Sequence, residues 1–211
     1  KSKLAPEVYK YFPQHKMRIT LFFGAGGLFF NTPKAKYNIA NDLDNDVFNL
    51  FQVVLNQKED LKKMVKILPV SESLFDHWLK NKETDPVKKA LRFLFLSNFS
   101  YMGKADKLKL GLDNSKRLLI DNIEPTFCAL DGVKFTNRDF REVIPSISFS
   151  ERLITKEQSF VYLDPVYLDR EHTYKVPNWT KDDTFDCFDV MSNEGILAAM
   201  SEFNHPFVLS E

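Results

Sequence analysis

The chain has 211 residues, 44% of them hydrophobic and 27% charged, with 29 basic residues balanced by 29 acidic ones. That is enough chain to bury a core as one domain, or as one domain carrying an insertion. A formal net charge of zero does not by itself announce a nucleic-acid partner. The balance hides a split, because residues 61–120 hold 13 Lys/Arg against 6 Asp/Glu and residues 151–211 hold 5 against 12. A basic middle is followed by an acidic end, a pattern that ordinary solvated helix faces also give. No apolar run is long enough to span a membrane, and no secretory signal opens the chain. Cys128 and Cys187 have no metal-type spacing to each other or to the four histidines, so free thiols in a cytosolic protein are expected. The sequence opens at Lys1 without Met and closes at Glu211 in a strand-like run, so both ends are expected to be incomplete.

In chain order, Leu4, Val8 and Tyr11 recur at helical spacing until Pro13. Residues 18–23 form an apolar run that ends in glycines, the pattern of a strand and a tight loop. Residues 37–40 read as a second strand ending at Asn41-Asp42. From Asp46 to Leu68 the apolar positions keep one helical pattern, stopped by Pro69. Further helices are predicted over 72–79 and 85–96, with Pro86 suited to a first turn. Another is predicted over 115–130, where Pro125 must bend or interrupt it. Strand pattern resumes at 133–136 and 160–163. A helix over 185–193, closed by Gly195, precedes a strand over 196–201. Strand–helix alternation at both ends around a helical block predicts a doubly wound α/β domain with a helical insertion.

Gly24-Ala25-Gly26-Gly27 holds three of the seven glycines. A strand feeding such a turn lets backbone approach a ligand closely. A dinucleotide fingerprint, G-x-G-x-x-G, would require glycine at position 29, where this chain has Phe29. That argues against a nicotinamide cofactor. Asp42, at the end of the second strand, is placed to accept ribose hydroxyls, or else to cap the following helix. Downstream, Asp164-Pro165-Val166-Tyr167 follows an apolar, aromatic strand. It offers a carboxylate, a main-chain carbonyl and a flat ring around one point, which suits an exocyclic amino group on a planar base. A strand end with a plain Asp-Pro turn is the alternative.

The pattern Phe22-x-Gly24-x-Gly26 and the tetrapeptide from Asp164, in this order, resemble the Dam-type adenine-N6 DNA methyltransferases. The resemblance implies a Rossmann-like methyltransferase sheet with helices on both faces. It implies a catalytic and donor-binding domain of residues 1–54 and 131–211, and a helical target-recognition insertion of residues 55–130. S-adenosyl-L-methionine, with no metal, would be bound by Phe22, Gly24, Gly26, Asp42 and Leu43. Asp139 and Phe140 would face its adenine, and Asp164 would border it. In catalysis Asp164 and the Pro165 carbonyl would accept the two N6 hydrogens of a flipped-out adenine. Tyr167 would stack on that base. The family's motif has a second proline where this chain has Val166, which relaxes the turn.

Residues 93–104 resemble the family's DNA-touching segment. Asn98, Tyr101 and Lys104 are the expected contacts, with Lys107, Lys109, Lys116 and Arg117 on flanking loops. The implied partners are double-stranded DNA and a cognate restriction endonuclease. The implied setting is the cytoplasm of a bacterium or archaeon, or a phage. The alternatives are a catalytically degenerate DNA-binding relative and a methyltransferase acting on another amino group.

Overall fold

The computed structural model describes residues 2–100, 107–109, 114–167, 179–193 and 195–202. The chain divides into two compact units, Lys1–Asp44 with Gly132–Glu211, and Asn45–Asp131. The first holds an all-parallel sheet of five strands: β1 (Met17–Thr20), β2 (Tyr37–Asn41), β3 (Val133–Thr136), β4 (Ser159–Leu163) and β5 (Leu197–Met200), in the order β3-β2-β1-β4-β5. This is the doubly wound α/β order, with the chain reversing direction across the sheet between β1 and β4.

Every residue of β1 and β4 is buried, as central parallel strands require when both faces are covered. Met17, Ile19, Leu21, Val161 and Leu163 form one face. They join a cluster with Phe140, Val143, Ile144, Cys187 and Ile196. Those partners come largely from α7 (Phe140–Val143) and α8 (Lys181–Asn193). On the other face Phe12, just past α1 (Ala5–Tyr9), packs its ring 4.5 Å from Phe160 and 5.3 Å from Tyr162.

The second unit contains α2 (Asn45–Asn56), α3 (Lys58–Ile67), α4 (Glu72–Lys80), α5 (Pro86–Asn98) and α6 (Ser115–Leu130). It starts at Asn45, earlier than the boundary expected at residue 55. The apolar stripe of α2, Val47, Leu50, Phe51 and Val54, is buried, and α2 packs on α5. The single helix expected over 46–68 is two helices. Gln57 leaves helical geometry at φ −140° and ψ 34°, inside the polar run from Asn56 to Asp60, which offers no apolar residue to carry one helix through. Asp85 caps α5 by accepting from the Lys88 amide, and Pro86 opens the helix. Pro125 lies inside α6 without ending it. Lys116 and Arg117 belong to the first turn of α6 rather than to a loop. No helix among the described residues is long and apolar enough to cross a membrane.

Candidate active site at the carboxyl ends of β1 and β4

Because Thr20 pairs with Tyr162, the residues that follow β1 and β4 leave the sheet side by side. Phe22 and Asp164 each lie two residues past that pair. The Leu21 amide donates to the Tyr162 carbonyl at 3.2 Å, which extends the pairing to the edge of the loop. Ligands in open α/β sheets bind outside the carboxyl ends of strands at such a reversal point. The glycine loop and the Asp164 tetrapeptide, 140 residues apart in sequence, therefore leave the sheet from neighbouring strands.

The loop is built on positive-φ glycines, Gly24 at 53° and Gly26 at 68°. A Cβ on Gly26 would come within 3.0 Å of the Phe30 and Phe23 rings, whereas one on Gly24 would meet nothing within 4 Å. Gly26 is thus a packing glycine, and the side of Gly24 is open. Phe23 anchors the loop among Phe29, Phe30 and Phe135, with centroids at 5.4, 5.9 and 4.8 Å.

Asp42 does not cap a helix. Its Oδ2 accepts from the Gly24 amide at 2.6 Å and its Oδ1 from the Asp44 amide at 2.9 Å. Burial pushes its carboxyl above the ordinary range, against the pull of those two amides. The adjoining Leu43 is exposed, and Asn137 holds the turn by donating its Nδ2 to the carbonyls of Asp42 and Leu43 at 2.7 and 3.0 Å.

Two residues outside the motifs brace the sheet. Asn41, fully buried, donates its Nδ2 to the Leu21 and Arg138 carbonyls at 3.1 and 3.0 Å. Its Oδ1 accepts from Thr136 Oγ1 at 2.8 Å and the Arg138 amide at 3.1 Å. One amide thereby ties together the chain leaving β1, β2 and β3. The sequence signal was an asparagine closing an apolar strand. Arg18, buried in β1, donates its Nη1 to Thr32 Oγ1 at 2.8 Å and lies 5.0 Å over the Phe29 ring. Its Nε and Nη2 have no hydrogen-bond partner among the described residues. Burial brings its pKa down to about 10, so it stays charged at neutral pH.

Asp164 and Pro165 follow β4 directly, and Tyr167 turns back so that its hydroxyl donates to Asp164 Oδ1 at 3.2 Å. Asp139 and Phe140 follow β3. Asp139 caps α7 through the Arg141 amide at 3.0 Å and pairs both carboxylate oxygens with Arg141 Nη1 at 3.1 and 3.0 Å. Phe140 is buried, its ring 5.1 Å from Phe22 and 5.9 Å from Trp179. Both residues thus have structural partners in addition to the ligand expected for them.

Of the expected DNA contacts, Asn98 ends α5 and donates its amide to the Leu94 carbonyl at 2.8 Å. Tyr101 and Lys104 lie outside the described residues. Lys116 Nζ donates to the Leu68 carbonyl at 2.7 Å, just past α3, which fits a helix-end role better than a phosphate contact. Among the described residues, no group of three or more His, Cys, Asp or Glu is gathered to hold a metal ion.

The residues present fit a nucleoside-bearing methyl donor. The loop is open beside Gly24. A carboxylate fixed to the loop's own amide closes β2. An exposed apolar side chain stands next to it.

A protein-family model described as D12 class N6 adenine-specific DNA methyltransferase matches residues 1–111. That range holds the glycine loop, Asp42, Leu43 and Asn98, and stops before Asp139 and Asp164. Over 109 residues the chain is 27% identical to the DNA adenine methylase of Escherichia coli (strain K12), a match of 49% of this chain and 39% of that protein. It is 30% identical to the DNA adenine methylase of Serratia marcescens, covering 49% of this chain and 40% of that one. It is 24% identical to that of Salmonella typhi, again over 49% and 39%. The matched stretch spans about two fifths of the length of these relatives.

Proposed function

Because this chain belongs to the D12 class N6 adenine-specific DNA methyltransferase family, we propose that it methylates adenine N6 in double-stranded DNA with S-adenosyl-L-methionine. The observation that supports the reading is the pairing of β1 with β4, the strands that lead into the glycine loop and into Asp164. When bound, the donor supplies a methyl group made electrophilic by a sulfonium. Gly24 and Gly26 let the loop backbone approach it. Asp42 accepts from its ribose while remaining tied to the Gly24 amide. Leu43 covers its adenine, with Phe22, Asp139, Phe140 and Asp164 bordering the same site.

The amino group to be methylated is a weak nucleophile, because its lone pair is delocalised into the purine. Asp164 accepts a hydrogen bond from one N6–H and the Pro165 carbonyl accepts one from the other. Together they favour a tetrahedral nitrogen and aim the lone pair. Tyr167 presents its ring to the base while its hydroxyl steadies Asp164. The adenine leaves the duplex to reach this point. Asn98, Tyr101 and Lys104 of the helical unit contact DNA. The setting is DNA marking or restriction–modification in a bacterium, archaeon or phage, with a cognate endonuclease as partner in the second case.

The test is methyl transfer from labelled donor to unmethylated DNA, followed by nucleoside digestion. N6-methyladenine is the expected product. Asp164→Ala is expected to slow transfer by about a hundred- to a thousandfold with donor binding retained. DNA binding without transfer by the wild type would favour a catalytically degenerate relative, the reading that Val166 supports. Transfer to RNA alone would favour a different amino acceptor.

A further inference from the structure

Arg141, the second residue of α7, uses its whole guanidinium on three aspartates. Nη1 is paired with Asp139, Nη2 donates to Asp183 Oδ1 at 2.6 Å and Nε to Asp186 Oδ2 at 2.6 Å. The cation also lies 4.4 Å over the Phe140 ring. Burial works against its charge, but the bonds it donates to Asp183, Asp186 and Asp139 outweigh burial and raise the guanidinium pKa above its ordinary value. This is planar, multidentate recognition that a lysine could not reproduce.

The network continues through α8. Asp183 Oδ2 accepts from both the amide and the hydroxyl of Thr180, at 2.8 and 2.7 Å, and the Asp183 amide donates back to Thr180 Oγ1 at 3.3 Å. That reciprocal pair fixes the first turn of α8. Trp179 immediately precedes it and donates its Nε1 to Thr184 Oγ1 at 2.9 Å. The locked indole meets Phe22 edge-on at 5.6 Å, and Phe22 meets Phe140 at 5.1 Å. The contacts close a ring: Arg141, Asp183, Thr180, Trp179, Phe22, Phe140 and back to Arg141. Phe22 is the first residue of the glycine-loop motif.

We propose that Arg141 is a positioning residue for donor binding: by bonding Asp139, Asp183 and Asp186 together it holds Trp179 against Phe22 and so fixes the start of the donor loop. The inference rests on reading that loop as the donor site. A cluster that only ties α7 to α8 would give stability and nothing more, and the two roles separate experimentally.

The chain has two tryptophans, so a Trp78→Phe background leaves Trp179 as sole fluorophore. In that background Arg141→Gln and Arg141→Lys are compared with Arg141 well below the melting temperature. Acrylamide quenching of Trp179 and the calorimetric affinity for S-adenosyl-L-methionine are measured together. Arg141→Gln is expected to increase quenching and to weaken the donor roughly tenfold, with only partial rescue by lysine. Asp186→Asn, which removes one arm, is expected to move both readouts less and in the same direction. It also serves should the Arg141 variants fail to fold. Unchanged quenching in folded variants overturns the clasp. Increased quenching at wild-type donor affinity overturns its role in donor binding. No donor binding by the Arg141 protein itself would instead overturn the donor-site reading, and quenching would still report on the clasp.

Discussion

Gly24 and Gly26 share a left-handed backbone, yet the structure sets them different tasks. Alanine at Gly24 meets open space and is expected to cost about 1–2 kcal/mol for its positive φ. Alanine at Gly26 bears the same strain and must also displace the Phe30 and Phe23 rings, adding roughly 1–3 kcal/mol. Urea unfolding of the two variants checks the order. Equal losses would mean that the aromatic cluster yields freely. Asp42 shows the opposite trade. Its carboxyl is raised by burial, so its contribution to stability is greatest below the ordinary aspartate pKa of about 3.9 and is lost as pH rises through the folded value. Asp42→Asn removes that dependence. The stability of the variant relative to wild type is therefore expected to improve between about pH 4 and pH 7, while donor affinity falls. A difference flat with pH, from unfolding at both values, would contradict the assigned burial cost.

Among the elements, α6 is the one at odds with its own sequence. Pro125 is exposed within Ser115–Leu130 and provides no amide for the ladder. Pro125→Ala is expected to stabilise the chain by about 1–3 kcal/mol, read as a higher urea midpoint at unchanged slope. A lower midpoint would mean that a bend at Pro125 is needed by the packing of Ile123 and Leu130, both buried. The α2–α3 break has the converse logic. Both halves have an apolar stripe, so periodicity alone joins them. The polar run at Asn56–Asp60 and the backbone of Gln57 separate them. The clasp at Arg141 also belongs to this scale, because it joins the starts of two helices that lie more than 40 residues apart in the chain.

At the scale of the molecule, the neutral total charge conceals a basic middle, residues 61–120, that lies within the helical unit Asn45–Asp131. If that unit meets phosphates, DNA affinity must fall with salt. About four contacts imply roughly a hundredfold loss between 50 and 200 mM salt. An affinity unchanged over that range, by fluorescence anisotropy with a short duplex, would remove the helical unit as the DNA-contacting part. Part of that charge is already engaged: Lys89 pairs with Asp46 at 3.4 Å, and Lys116 bonds the Leu68 carbonyl. The count of lysines therefore overstates the number available to DNA.

Several features were legible without coordinates because they are local. An apolar run ending in glycines is a strand and a tight turn wherever it occurs. Asp85-Pro86 marks a helix start from two residues alone, and the alternation of strand and helix already implied a doubly wound sheet. The motifs at Phe22, Asp42 and Asp164 were visible as residue types in order. What only the tertiary structure decided was which of them stand together and what holds them. Parallel pairing of β1 with β4 sets Phe22 level with Asp164, and no spacing in the chain encodes that adjacency. Asn41 looked like the end of a strand, but it joins the exits of three strands through backbone carbonyls whose positions exist only once the sheet has formed. Asp139 was expected as a ligand acid, and the fold also pairs it with Arg141. Hydrogen bonds across 40 to 100 residues depend on geometry that the whole core must assemble first. For that reason the residue types that could carry chemistry were visible in the sequence, and their placement was not.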